Sequence, residues 1–108
     1  MLPTLGVSGQ GRSMADRRTT IEKALDEHIG RAIRGRRHAL EQSQVALADA
    51  VNRSFQQMQK YETGANRVSA SLLYTIADAQ GVDLMFYFVG FEPPVAVDDR
   101  PPGPVDRL

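Results

Sequence analysis

The sequence predicts an all-α domain of five helices over residues 19–91, between disordered tails at 1–18 and 92–108. Apolar residues recur at helical spacing along the predicted domain. Residues that cap helices, such as Ser, Thr and Asp, precede these stripes, and Gly or Asn follows them. The two ends are instead rich in Gly or Pro and show no periodicity, which is typical of disorder.

The two tails differ in composition. Residues 1–18 are rich in Gly and small polar residues, but no GK[ST] follows the glycines, so they do not form a phosphate-binding loop. Met14, like Met1, is a possible translation start. Residues 92–108 carry five prolines and four acidic residues, which predicts an extended, disordered chain.

The first helix is predicted over about residues 20–41. Thr19 and Glu22 have the spacing of a capping box at its start. Its apolar stripe consists of Ile21, Ala24, Leu25, Ile29, Ala32, Ile33 and Leu40. His28 falls on this stripe and His38 does not, so they do not share a metal ion, and we interpret His28 as a half-buried packing residue.

Residues 43–64 predict two short helices joined by a tight turn. Ser43 caps the first helix through its side-chain oxygen. The apolar stripe of that helix consists of Leu47, Ala48 and Val51. Asn52 tolerates the left-handed backbone conformation, and Ser54 caps the next helix. About three residues remain for the turn, which is the spacing of a helix-turn-helix that contacts DNA.

The second helix of this pair, over about residues 55–63, has an apolar and a polar face. Met58, Tyr61 and Glu62 share one side at about 100° per residue. The polar and flanking residues are Gln56, Gln57, Gln59, Lys60 and Thr63. Gln pairs bidentately with adenine, so this face suits DNA, although a solvated surface face has similar composition. The turn favours DNA contact, with Gln56 as the best candidate for base contact, followed by Gln57 and Lys60.

Two further helices are predicted after this pair. Ser69 or Ser71 caps the fourth, over about residues 70–80, and Gly81 ends it. Asp83 caps a short fifth helix, LMFYFVG. One face of so short a helix does not bury six consecutive apolar residues, so some of them are expected to contact a partner or the tail.

These motifs resemble the lambda-repressor-like helix-turn-helix family, also called Cro/CI-type or XRE. The residues that match its pattern are Ser43-Gln44, Leu47-Ala48, Ser54, Met58 and Tyr61-Glu62-Thr63-Gly64. The resemblance covers roughly residues 28–90. Asn52 and Arg53 depart from the family, whose turn usually carries Gly and a small apolar residue. Glu41 and Gln42 replace a Gly and an apolar residue at the end of the preceding helix.

The resemblance implies a transcriptional regulator, most specifically a repressor that binds double-stranded operator DNA. Its second helix would lie across the DNA backbone, with Gln44 on a phosphate, and its third would enter the major groove. Ser54 would contact phosphate as well as cap its helix. Asn66 and Arg67 would lie along the backbone. Phe55 would either contact a thymine methyl group or pack onto the turn.

The resemblance also implies an ion pair between Arg37 and Glu62. In related repressors an Arg seven residues before the Gln of the Ser-Gln motif pairs with the Glu of the aromatic-Glu motif. A partly buried pair here would fix the angle of the third helix more than it would add stability.

Relatives bind as dimers to two half-sites, so we expect a homodimer. Aromatic residues are concentrated in residues 85–91, whereas residues 1–54 contain no Phe, Tyr or Trp. This aromatic cluster offers a surface for the dimer. The residues assigned to this interface are Met85, Phe86, Tyr87 and Phe91. Leu84, Phe88 and part of Phe86 are expected to close the core instead.

The net charge is zero, but residues 1–67 hold 11 Lys and Arg against 7 Asp and Glu, whereas 68–108 hold 2 against 6. A basic half containing the helix-turn-helix suits a phosphate-facing surface. There is no Cys, so a disulfide or a Cys-based zinc site is excluded, as expected for a reducing compartment. No signal-peptide run opens the chain, and Leu84–Val89 is far shorter than the roughly 20 residues that span a bilayer.

We therefore expect a soluble, cytoplasmic DNA-binding protein without a cofactor, metal ion or catalytic residue. An enzyme is not indicated, because neither a nucleotide loop nor paired carboxylates are present. The alternative is an antitoxin or another protein-interaction module, with the acidic tail at 92–108 contacting a partner protein.

Overall fold

The computed structural model describes residues 14–94. Four α-helices and one 3₁₀-helix follow one another in this range. They are α1 (Met14–Ala39), α2 (Gln44–Ala50), α3 (Phe55–Thr63), α4 (Ala70–Gln80) and the 3₁₀-helix (Leu84–Phe88). Residues 14–94 contain no strand, so the predicted all-α fold class is confirmed.

The prediction of a fifth α-helix is wrong, because residues 84–88 form a 3₁₀-helix. Its hydrogen bonds span three residues, from Phe86 N to Asp83 O at 2.9 Å and from Val89 N to Phe86 O at 3.4 Å. Side chains three apart line up in such a helix. Leu84 and Tyr87 therefore lie on the same side, where Leu84 is partly buried and Tyr87 fully buried. Met85 remains 63% exposed. Phe88 also packs against the core and is partly buried, as expected, whereas Met85, Phe86 and Val89 stay exposed.

The start of α1 also differs from the prediction. The helix begins at Met14 rather than near residue 20, so Thr19 lies inside it and is not its N-cap. The preceding residues, MADRR, are mostly good helix formers, which explains why the helix continues through them. The rest of the predicted N-terminal tail, and residues 95–108 of the C-terminal tail, lie outside the described residues.

One hydrophobic core joins all the helices. The fully or nearly fully buried apolar residues are Ile29, Ile33, Leu47, Ala48, Val51, Met58, Tyr61, Leu72, Leu73, Ile76, Ala77 and Tyr87. Helix α1 runs behind this core and contacts α3, α4 and the 3₁₀-helix. No helix among residues 14–94 combines the length and apolar character needed to cross a bilayer.

Several helices end on a residue in the left-handed conformation. Gly64 does so at φ 83° and Gly81, as predicted, at φ 67°, and Asn52 follows α2 at φ 58°. Glu41 adopts φ 54° after α1, which ends at Ala39 and not at residue 41. Backbone bonds from Gln42 N to Arg37 O and from Glu41 N to His38 O close the helix there. This is a Schellman ending built on a glutamate, where Gly is the usual residue.

Gly30 allows α1 to approach α3 closely. A Cβ atom at residue 30 would lie 2.4 Å from the carbonyl oxygen of Glu62 and 2.5 Å from that of Tyr61. The two helices therefore contact each other backbone to backbone at the C-terminal end of α3. Sequence alone does not predict this close approach, because a glycine within a helical stripe does not indicate which helix lies next to it.

Candidate nucleic-acid interface

The turn between α2 and α3 is formed by hydrogen bonds within a few residues of one another. The Ser43 hydroxyl accepts from Ala46 N at 3.0 Å, as its predicted capping role requires. Asn52 is left-handed, and Arg53 N donates to Ala48 O at 2.9 Å to close α2. Ser54 then caps α3, so the helix-turn-helix predicted from these caps is confirmed.

The cap of α3 is reciprocal. Gln57 N donates to the Ser54 hydroxyl at 3.1 Å, and Ser54 N donates to Gln57 Oε1 at 3.0 Å. Gln57, predicted only to contact DNA, is therefore also part of the cap, and Ser followed three residues later by Gln is the signature of such a capping box. The side-chain oxygen of Gln57 is thus held by the cap, and the amide NH₂ group of this exposed side chain is left as its donor.

Helix α3 has the two faces that its sequence predicts. Met58, Tyr61 and Glu62 are buried, with Met58 fully inaccessible. The residues on the outer side are exposed: Gln56, Gln57, Gln59, Lys60 and Thr63. These side chains supply amide donors and acceptors and one positive charge on a single exposed surface.

Arg37 and Glu62 form a buried, two-pronged ion pair between α1 and α3. Arg37 Nε donates to Glu62 Oε2 at 2.7 Å, and Arg37 Nη2 donates to Glu62 Oε1 at 2.9 Å. The Arg37 side chain is 10% exposed and that of Glu62 only 2%. A bidentate pair fixes direction as well as distance, so it holds the C-terminal end of α3 against α1.

Gln44 joins this pair from the start of α2. Its Nε2 donates to Glu62 Oε1 at 2.9 Å. The residue that the family resemblance places on a DNA phosphate is therefore oriented by the same carboxylate that anchors α3. Beside it, a shallow groove is lined by Arg34, Gln44, Gln59, Lys60, Glu62 and Thr63.

The exposed side chain of Arg67 is bound by two acidic residues of the same chain. Its Nε donates to Asp26 Oδ2 at 3.2 Å, and its Nη2 donates to Glu22 Oε1 at 3.0 Å, both on α1. The hydrogen bond and charge of Asp26, followed by the charge of Glu22, raise the pKa of the Arg67 guanidinium. Asn66 next to it is exposed. Sequence gave no indication of these ion pairs, because Arg67 lies more than 40 residues from both acids.

Phe55, the first residue of α3, is 40% exposed. A large part of its ring is therefore accessible at the start of α3.

The aromatic segment, residues 84–91, only partly matches the predicted dimer interface. Met85 is 63% exposed, Phe86 38% and Val89 72%, so these side chains form an exposed apolar patch. Tyr87 does not belong to it: this assignment is wrong, because Tyr87 is fully buried. Its hydroxyl donates to Gln80 Oε1 at 2.7 Å, and burial raises its pKa to about 12.

Phe91 lies against α1 and is half-buried. The rings of Phe91 and His28 meet in a T-shaped arrangement, with centroids 5.5 Å apart. His28 Nε2 in turn donates to Val89 O at 2.9 Å. His28 is half-buried, as predicted, and it fixes the end of the aromatic segment to α1.

Sequence comparison finds several bacterial relatives, while no family model matches the chain. It is 48% identical over 68 residues to an uncharacterised transcriptional regulator in the ATPase CF(0) region of Rhodospirillum rubrum, covering 63% of each chain. It is also 48% identical over 65 residues to an uncharacterised HTH-type transcriptional regulator of Sinorhizobium fredii, covering 60% of this chain and 46% of that one. A third, from Rickettsia conorii, is 36% identical over 76 residues. The matches thus span between about half and two thirds of these relatives.

Among solved structures, the fold is similar to that of the clp gene regulator ClgR from Corynebacterium glutamicum. The TM-score is 0.59 with 28% sequence identity, covering 60% of this chain and 84% of that one. The sequence and fold comparisons therefore each match about 60% of this chain to proteins described as transcriptional or gene regulators. The helix-turn-helix formed by α2 and α3 thus belongs to a chain whose sequence is similar to HTH-type transcriptional regulators and whose fold is similar to a gene regulator.

Proposed function

We propose that the chain is a sequence-specific DNA-binding regulator of the Cro/CI type, acting in the cytoplasm as a repressor that excludes polymerase from a promoter. The observation that carries this proposal is the geometry of α3. Its outer face presents amides and a lysine without apolar interruption, and its inner face is fixed by a buried ion pair. A major groove admits such a helix, and Gln is suited to adenine.

Gln56 is the residue proposed to contact base edges, with Gln57 and Lys60 beside it. Lys60 lines the groove next to Gln44 and is suited to a backbone phosphate. Because Gln57 Oε1 accepts from Ser54 N, Gln57 has only its NH₂ group to offer to a base or a phosphate. The Ser54 hydroxyl accepts the cap bond and keeps its own hydrogen to donate to phosphate.

Gln44 is proposed to donate its second amide hydrogen to a phosphate while the first is held by Glu62. The phosphate contact would then be oriented by the Arg37–Glu62 pair. Asn66 is the better candidate of the two loop residues for a backbone contact, since Arg67 would first have to leave Asp26 and Glu22.

A homodimer is proposed through Met85, Phe86 and Phe91, with Val89 in place of the buried Tyr87. One helix contacts few base pairs, so two half-sites supply the specificity that one lacks. Sedimentation with and without operator DNA tests this. We expect Met85→Glu to abolish the dimer, and a dimer that survives this change would exclude the patch as its interface.

Selection of bound sequences from a random DNA pool tests the proposed function. We expect an enriched motif with two related half-sites about one helical turn apart. A chain with Gln56, Gln57 and Lys60 replaced by Ala should enrich no such motif, whereas the exposed α4 change Tyr74→Ala should leave it unchanged. Absence of any enriched motif with the unaltered chain would overturn the proposal.

A further inference from the structure

Three polar side chains from separate parts of the chain meet beneath the C-terminal end of α4. Tyr87 OH donates to Gln80 Oε1 at 2.7 Å. Gln80 Nε2 donates to Ile33 O at 3.1 Å and lies 3.4 Å from Gln42 Oε1. Gln80 is 1% exposed and Tyr87 is fully buried, while Gln42 is half-buried. We call Gln42, Gln80 and Tyr87 the Gln80 cluster.

The cluster is continuous with the ion pair that anchors α3. Arg37 Nη1 donates to Gln42 O at 3.0 Å, and the remaining nitrogens of the same guanidinium hold Glu62. Hydrogen bonds thus lead from Tyr87 through Gln80, Gln42 and Arg37 to α3. Arg36 adds a second link from α1, since its Nε donates to Gln80 O at 3.0 Å.

The bonds of Tyr87 to Gln80, of Gln80 to Ile33 and of Arg37 to Glu62 are buried, and those that involve Gln42 are part-buried. A buried group that loses its partner there is left unsatisfied. Such a loss costs more than the bond itself contributes, which ties the positions of the linked groups together. Tyr87 therefore does not shift independently of Gln80, and Arg37 is directed on one side by Gln42 and on the other by Glu62.

The opposite end of the cluster lies directly beneath the exposed apolar patch. The rings of Phe86 and Tyr87 meet edge to face, with centroids 5.3 Å apart and planes at 89°. Met85, next to Phe86, is 63% exposed. In the proposed homodimer, a second copy of this chain on the patch would contact the Phe86 ring that packs on Tyr87.

We propose that Gln42, Gln80 and Tyr87 are positioning residues that couple the aromatic segment to the DNA-contacting helix α3. The position of Tyr87 sets the direction of Arg37, and Arg37 sets the angle at which α3 is presented. Contact at the apolar patch and binding of specific DNA are then linked, each favouring the other. The link to DNA rests on the proposed function, whereas the coupling from Tyr87 to Arg37 does not.

Tyr87→Phe tests the coupling, because it removes one hydroxyl and keeps the ring. With a selected operator, and at a temperature where the variant is fully folded, we expect specific affinity to fall roughly 3- to 10-fold with little change on random DNA. The Arg37 Nε–H resonance in the NMR spectrum should shift in the same variant without DNA. Tyr74→Phe, on an exposed tyrosine of α4, is the matched control and should change neither quantity.

Gln42→Leu interrupts the connection at its centre and introduces an apolar residue. If the coupling passes through Gln42, Tyr87→Phe should shift the Arg37 resonance and the specific affinity far less in a Gln42→Leu background than in the unaltered chain. The proposal is overturned if Tyr87→Phe only lowers the melting temperature, with the Arg37 resonance and the specificity ratio equal to those of Tyr74→Phe. If the unaltered chain selects no operator, the proposed function fails, and the resonance alone decides the coupling.

Discussion

The helix-turn-helix, residues 43–64, and the aromatic segment, residues 84–91, owe their structures to contacts of different range. In the first, each cap bond joins residues three apart, as between Ser43 and Ala46 or between Ser54 and Gln57. In the second, Val89 is held by His28 at a separation of 61 residues. Bonds between residues close in sequence can be predicted from short motifs, whereas bonds between distant residues depend on how the helices pack.

The ion pair between Arg37 and Glu62 joins the locally determined region to the rest of the chain, and its loss should have the largest effect. Arg37→Ala removes both guanidinium bonds to the buried Glu62 carboxylate and leaves it the neutral amide of Gln44. Stranding a buried charge costs about 3–5 kcal/mol, so the free energy of unfolding should fall by that order. Chemical denaturation measures it.

Arg34→Ala is the matched control, because Arg34 is exposed on the same helix and pairs with no described acid. It should change the free energy of unfolding by less than about 0.5 kcal/mol. A double-mutant cycle of Arg37 and Glu62 that gave no coupling energy would contradict the role assigned to this pair.

The same contrast between local and distant contacts explains which features of the fold and the candidate site the sequence predicts. The bounds of α3, its two faces and the caps at Ser43 and Ser54 follow from short sequence signals, and all are present. The family resemblance supplied the Arg37–Glu62 pair, which spacing alone does not indicate. The burial of Tyr87 was missed, because within an unbroken apolar run nothing marks which residue faces a buried acceptor such as Gln80.

Arg67 shows the same limit in the candidate interface. A basic residue in a loop after a DNA-contacting helix suggests phosphate contact, but two acids of α1 hold it. These pairs are exposed, and exposed pairs contribute little to stability. They nevertheless determine where the Arg67 side chain points. This direction depends on the packing of α1 against the loop and not on residues near Arg67 in the sequence.

The pH dependence of stability tests the distant contacts of the aromatic segment. Burial raises the pKa of Tyr87 from 10.0 in the unfolded chain to about 12 in the fold. Below pH 10 both states keep the proton and Tyr87 adds no pH dependence. As the pH rises from 10 to 12 the unfolded state loses its proton first, so the free energy of unfolding should fall by about 2–3 kcal/mol on this account.

This contribution is isolated by urea denaturation of the unaltered chain and of Tyr87→Phe at several pH values between 9 and 12. The lysines and the other tyrosines titrate equally in both chains. The difference in the free energy of unfolding between the two chains should become smaller as the pH rises. A constant difference would mean that Tyr87 ionises in the folded protein as easily as in the unfolded one, and that it is not enclosed.

Gln56→Ala tests the exposed face of the locally determined region. On a selected operator we expect a loss of about 1–3 kcal/mol in binding free energy and relaxed preference at one base pair, with random DNA bound as before. Fluorescence anisotropy on both DNAs measures this. Equal losses on the two would assign Gln56 to the backbone instead.

Gln44→Ala is the comparison for Gln56. It should weaken binding to both DNAs alike, because its proposed contact is a phosphate. It should also lower the free energy of unfolding slightly, since Gln44 Nε2 donates to the buried Glu62 carboxylate. The two glutamines are thus distinguished by DNA specificity and by stability.

The smallest expected effect is a gain in stability at Glu41, where the local sequence and the backbone disagree. Glu41 closes α1 at φ 54°, a conformation that costs a residue with a Cβ atom about 1–2 kcal/mol and costs Gly little. Gly loses more freedom on folding, so the net gain of Glu41→Gly should be about 1 kcal/mol. Asn52→Gly, at φ 58° after α2, should gain less, because Asn already tolerates this conformation. Thermal denaturation of both variants measures the difference, and a Glu41→Gly chain no more stable than the unaltered one would show that the backbone at residue 41 is not strained.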